Sequence, residues 1–203
     1  MSGIIAQNIL DNSGLIKAPE GGGAWTFISK STASSDSTIS FTSGIDSTYK
    51  EYLFTFKNIH PSVSGADFSF QGNGSGESGY NETINSAVWY AYLSEGNTAA
   101  FSEYAGGDQA NGTGFQGIIH DMDDDADATV SGFMRLYAPS STTFVTLFNT
   151  RANYCHENVA SRDQFVSGYF NTTAAIDDIQ FKMDSGNIDS GDICLYGLTT
   201  WQV

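Results

Sequence analysis

The chain has 203 residues, 40% of them hydrophobic and 13% aromatic, so a single domain of this length can bury its own core without a disulfide or a metal. Eight Lys and Arg against 23 Asp and Glu give a formal charge of −15, a surface that repels phosphate backbones and anionic lipid and argues against nucleic-acid or membrane partners. No secretory signal pattern opens the chain and no apolar run reaches the length of a membrane span, so folding in a cytoplasm is expected, with Cys155 and Cys194 as free thiols.

Residues 1–24 differ from the rest. Ile4, Ile5, Ile9 and Leu10 stand among polar residues without strand alternation, and Gly21-Gly22-Gly23 reads as a joint. Two readings stay open: an extended arm that packs on a neighbouring subunit, or a frayed terminus or short first strand. The division is then an arm over 1–24 and a sandwich domain over 25–203.

From Trp25 onwards the apolar residues recur at every second position. Ile39 and Phe41 alternate with polar neighbours, and Tyr52, Phe54 and Phe56 share a face before Asn58-Ile59-His60-Pro61 breaks the run. Phe68 and Phe70 continue the alternation up to Gly72-Asn73-Gly74-Ser75-Gly76, which has turn or loop chemistry. Trp89, Ala91 and Leu93 oppose Val88, Tyr90 and Tyr92. Val130, Met134 and Leu136 share one parity, as do Val145 and Leu147. Ile179, Phe181 and Met183 form another strand, and Ile193 with Leu195 the last.

These amount to about ten short period-two segments separated by Gly, Ser, Asn and Asp, with almost no helical periodicity. The expected fold is all-β: an antiparallel two-sheet β-sandwich, jelly-roll-like, with an N-terminal extended arm. The polar stretches near 72–86 and 96–114 are expected as surface loops, where binding residues usually sit.

Three constellations carry chemistry. In an extended chain the side chains of Asp121, Asp123, Asp125 and Asp127 would converge, and hard carboxylate oxygens suit calcium. The EF-hand pattern is not met, and a solvated acidic loop explains the run equally well. Phe101 and Tyr104, aromatics inside a polar stretch near Asn97, Asp108 and Asn111, are candidates for stacking on a sugar ring. Cys155-His156 would point to opposite faces of a strand, and His60, His120 and His156 lie in separate segments, so no nucleophile–base pair is legible. Catalytic residues are therefore assigned nowhere.

Two stretches resemble a known family. The first is Ala24-Trp25-Thr26-Phe27-Ile28-Ser29-Lys30-Ser31-Thr32-Ala33, through Ser43-Gly44-Ile45-Asp46-Ser47-Thr48-Tyr49 and Tyr52-Leu53-Phe54-Thr55-Phe56. The second is Ser167-Gly168-Tyr169-Phe170-Asn171 with Ile188-Asp189-Ser190-Gly191-Asp192-Ile193-Cys194-Leu195-Tyr196-Gly197-Leu198. Together they look like a β-sandwich module of virion structural proteins of tailed, especially marine, bacteriophages. The resemblance implies a virion component made in the host cytoplasm, with other capsid or tail proteins as partners, and it carries over no catalytic or ligand residue.

The leading expectation is a non-enzymatic decoration or cement protein docked on the capsid exterior as a symmetric homo-oligomer. The alternative is a tail-fibre or spike protein, trimeric in that case, recognising a host surface glycan. The third is a small glycan depolymerase, which needs two carboxylates facing each other across a cleft.

Overall fold

The computed structural model describes residues 24–198; the candidate arm residues Ile4, Ile5, Ile9 and Leu10 lie outside them. Thirteen strands follow in chain order: β1 (Trp25–Asp36), β2 (Ile39–Phe41), β3 (Glu51–Pro61), β4 (Phe68–Gly74), β5 (Ile84–Ser94), β6 (Ala99–Glu103), β7 (Ala110–Gly112), β8 (Gln116–Gly117), β9 (Val130–Tyr137), β10 (Thr146–His156), β11 (Ala160–Phe170), β12 (Ile176–Met183) and β13 (Ile188–Leu198). The described residues contain no helix.

The fold is a β-sandwich of two antiparallel sheets of unequal size. The larger has nine strands in the order β1-β13-β3-β9-β10-β11-β5-β6, with β7 also paired to β5; the smaller has four, β2-β12-β4-β8. Inward residues of both sheets interdigitate. Phe181 of β12 lies against Phe41, Phe54, Phe56 and Phe68, at ring-centroid distances of 6.1, 5.2, 5.4 and 5.8 Å. A second cluster joins Phe70 to Phe148 and Phe170. Edge-to-face contacts dominate both clusters, as ring quadrupoles prefer.

Several segments differ from the sequence expectation. Gly72-Asn73-Gly74 is buried strand and not a turn; a Cβ at Gly72 would come within 3.0 Å of the Phe170 ring, so the glycine makes room for core packing. The turn starts at Ser75. Asn58-Ile59-His60-Pro61 does not break the run but belongs to β3, which continues to Pro61. The irregularity sits at Asn58, whose φ of 50° produces a bulge opposite β9 and β13. The stretch 96–114 contains two short strands, β6 and β7. In β10 the buried parity is Thr146, Phe148, Thr150, Ala152 and Tyr154, which leaves Leu147 on the outside.

Candidate functional site

The small sheet covers only one face of the large one. The other face is open, and its rows follow from the cross-strand register. One row runs Phe27, Tyr196, Leu53, Arg135, Asn149, Ser167 and Ala87; the next runs Lys30, Cys194, Thr55, Phe133, Arg151, Phe165 and Trp89. Trp25 and Leu147 flank them. Trp89 and Phe165 stack at 6.0 Å, Phe27 meets Tyr196 edge-on at 5.7 Å, and Arg135 and Arg151 lie over Phe133 and Phe165 at 5.4 and 5.0 Å. Phe27 and Leu147 are 56% and 51% exposed. Three acids here are paired, Asp192 with Lys30 at 3.0 Å, Glu51 with Arg135 at 3.5 Å and Asp163 with Arg151 at 2.8 Å, while Glu103, beside Trp89 at the β6 edge, is exposed. An aromatic face of largely compensated charge on a protein of charge −15 has the composition of a contact surface.

A polar network lies inside the sandwich, under β5 and β11. On β11 the inward positions read Ala160, Arg162, Gln164 and Val166, so a cation and an amide occupy core-facing places. Arg162 sits 3.7 Å over the Tyr90 ring, with Nη1 3.9 Å from Asp121 Oδ2. His156 Nε2 lies 3.7 Å from that same oxygen. Tyr154 donates to the His120 carbonyl at 2.6 Å.

The Gln164 side-chain nitrogen donates to the Ile118 carbonyl at 3.1 Å, which fixes the amide orientation, and lies 2.7 Å from His120 Nδ1. Nδ1 must therefore accept, and the imidazole proton is on Nε2. Nε2 points towards Asp67 Oδ2, 3.7 Å away.

Asp67 and Asp184 clasp each other at the adjacent ends of β4 and β12. The Asp67 N–H donates to Asp184 Oδ1 at 2.8 Å, and the Asp184 N–H to the Asp67 carbonyl at 3.0 Å. Asp67 Oδ1 accepts the Asp121 N–H at 2.9 Å. Burial pushes the Asp67 carboxyl up to about 6, helped by the charges of Asp184 and Asp121 and opposed by the Asp121 N–H and by Arg162. Burial holds His120 and His156 below the usual histidine range. It also pushes the Tyr104 and Tyr154 hydroxyls up.

Beside this network opens a cleft of about 660 Å³, lined by Asp67, Tyr104, Asp108, Phe115, His120, Lys182, Asp184 and a set of glycines. Tyr104 meets His120 edge-on at 4.7 Å. Lys182 Nζ stands 4.4 Å over the Phe115 ring.

The residues singled out in the sequence separate here. Phe101 and Tyr104 do not form one site: Phe101 is 75% exposed on the outer side of β6, opposite Ala91, while Tyr104 turns inward against the core and the cleft. The four alternate aspartates do not converge either, because the segment is not extended. Asp121 has a φ of 57°, and the Ala128 N–H closes a turn onto the Asp125 carbonyl. Asp121 faces Arg162 and His156, whereas Asp123, Asp125 and Asp127 line a separate concavity beside the β10–β11 hairpin. Among the described residues no three His, Cys, Asp or Glu side chains are grouped so as to hold a metal ion.

Cys155 and His156 do point to opposite faces, the first exposed and the second buried. His120 and His156, far apart in sequence, share the Arg162–Asp121 network. Sequence reasoning missed Asp67, Arg162 and Gln164, although polar residues at the buried parity of β11 were the available signal. No helix of the described residues is long and apolar enough to cross a membrane. Compared with known protein families, curated proteins and solved structures, the chain finds no match.

Proposed function

We propose that this chain is a non-enzymatic structural protein of a phage particle, docked on the capsid exterior as a decoration protein and assembled as a symmetric oligomer. The observation that supports a docking role is the open face of the nine-stranded sheet, where Trp25, Phe27, Leu53, Phe133, Trp89 and Phe165 are interleaved with Arg135 and Arg151. Aromatic and arginine side chains on a rigid platform are the typical anchors of protein contacts. The placement on a virion rests on the resemblance of the segments around Ser43–Tyr49 and Ile188–Leu198.

Residues 1–22, with Ile4, Ile5, Ile9 and Leu10, serve in this reading as a second attachment to a neighbouring subunit. Localising the chain on intact particles with antibody or density tests the proposal. Signal over the capsid surface, lost when residues 1–22 are deleted from a chain that still folds, is the expected result. Signal confined to the tail tip would replace decoration with the fibre reading. Absence from the particle would overturn both.

A further inference from the structure

The cleft shares no lining residue with the open sheet face, and it holds a donor that nothing in the fold satisfies. His120 is 6% exposed. Its Nδ1 is occupied by Gln164, its Nε2 carries the proton, and the nearest acidic oxygen, Asp67 Oδ2, is 3.7 Å away, too far for a hydrogen bond. The ring is buried but this N–H opens into the cleft, so its hydrogen bond is left for whatever occupies the cleft, water or a ligand.

The surroundings keep that nitrogen uncovered. Gly107 and Gly117 flank it at backbone angles other residues adopt, yet a Cβ at Gly117 would overlap Nε2. A Cβ at Gly107 would come within 2.8 Å of His120 Cε1 and Tyr104 Cδ1. Glycine is therefore required at these positions for room and not for backbone freedom.

We infer that the cleft binds a neutral saccharide, with His120 Nε2–H donating to a sugar oxygen, the carboxylates of Asp67 and Asp184 accepting from hydroxyls, and Tyr104 offering an apolar ring. The chemistry selects the class. Three carboxylates (Asp67, Asp108, Asp184) outweigh Lys182 along the wall, which disfavours phosphate, sulfate or acidic sugars. Asp108 is already used, accepting the Val88 N–H at 2.7 Å, whereas Asp184 is exposed and keeps one carboxylate oxygen for a ligand. A ligand that offers hydroxyl donors and an ether or hydroxyl acceptor together, beside an apolar ring, matches this set of groups. The cleft volume of about 660 Å³ falls in the range of small-molecule sites.

The test uses the full chain and a panel of glucose, galactose, mannose, N-acetylglucosamine and neutral oligosaccharides built from them, with inorganic phosphate and spermidine as charged controls. Titration is followed by ¹H–¹⁵N NMR of the histidine side chains together with calorimetry. A saturable shift of His120 Nε2 by at least one neutral sugar is expected. Gly117→Ala, which fills the space before Nε2, should weaken that binding at least tenfold. Asp184→Asn, at an exposed position, should weaken it several-fold with the fold intact by circular dichroism, and this variant decides the matter if Gly117→Ala fails to fold. Phe27→Ser on the open face should leave sugar binding unchanged. A panel that leaves His120 unmoved overturns the inference, as does sugar binding indifferent to Asp184→Asn, or spermidine or phosphate binding in preference to sugar. Capsid docking is read separately, so either proposal can fail alone.

Discussion

Single residues set the chemistry of this protein where a polar group is held in a place suited to an apolar one. Asp67 titrates near 6 against an ordinary 3.8 because burial disfavours its charge. The folded state thus binds the proton more tightly than the unfolded state, and this group costs stability as pH rises from about 4 to 6, with the full cost above 6. Asp67→Asn keeps an acceptor for the Asp121 N–H and should raise the melting temperature at pH 7 by a few degrees, on the order of 1–2 kcal/mol after allowing for solvent in the cleft. At pH 4 it should change little. His120 acts in the opposite sense: its lowered pKa means stability that is present above the ordinary 6.5 and lost as pH falls below it. Thermal melts of both proteins across pH 4–8 check the two signs. Arg162→Met removes the cation over Tyr90. Asp121 is exposed enough for water to replace the 3.9 Å pairing, and the buried Arg162 Nε has no hydrogen bond to lose, so the cost in chemical denaturation should be only about 1 kcal/mol, from the lost cation–π contact. None of this was legible residue by residue, because Asp67, His120 and Arg162 stand 42 or more positions apart in sequence and meet only through strand pairing. Arg162 and Gln164 at alternate positions beside Val166 were the one local clue.

At the scale of elements, the period-two pattern was sufficient for strand existence and for fold class, since Tyr52, Phe54 and Phe56 and again Ile179, Phe181 and Met183 do face the core. It was insufficient for parity wherever both faces carry apolar groups. Val145 and Leu147 suggested one inward side for β10, but Thr146 and Phe148 are the buried ones. The reason is physical: the outer face of the large sheet is itself aromatic, so alternation loses contrast there. Phe148→Ala and Leu147→Ser, adjacent on one strand, should therefore behave differently. The first should cost about 3–5 kcal/mol by emptying the Phe70–Phe148–Phe170 cluster; the second should stay within about 0.5 kcal/mol, as surface changes do. Urea denaturation of the two variants measures the contrast. The acidic run is divided for a similar reason: the left-handed Asp121 breaks the alternation, so Asp121 turns to Arg162 while Asp123, Asp125 and Asp127 line a separate concavity.

Across the whole molecule, charge and surface divide the labour. The −15 charge repels phosphate, while on the open sheet face Asp192, Glu51 and Asp163 are paired to Lys30, Arg135 and Arg151, so local charge there is largely compensated. Most of the fold was legible because a sandwich is specified by strand pattern. Its asymmetry, nine strands against four, was not, because nothing in a single strand says how many neighbours lie beyond it. That asymmetry exposes the face on which the docking proposal depends. The most direct test is cosedimentation of purified chain with capsids lacking it, comparing the wild type with the double variant Phe27→Ser, Leu147→Ser. Saturable binding by the wild type and at least a tenfold loss in the variant, with both proteins equally folded, is the predicted result; equal binding by the two, or none by the wild type, would contradict the account.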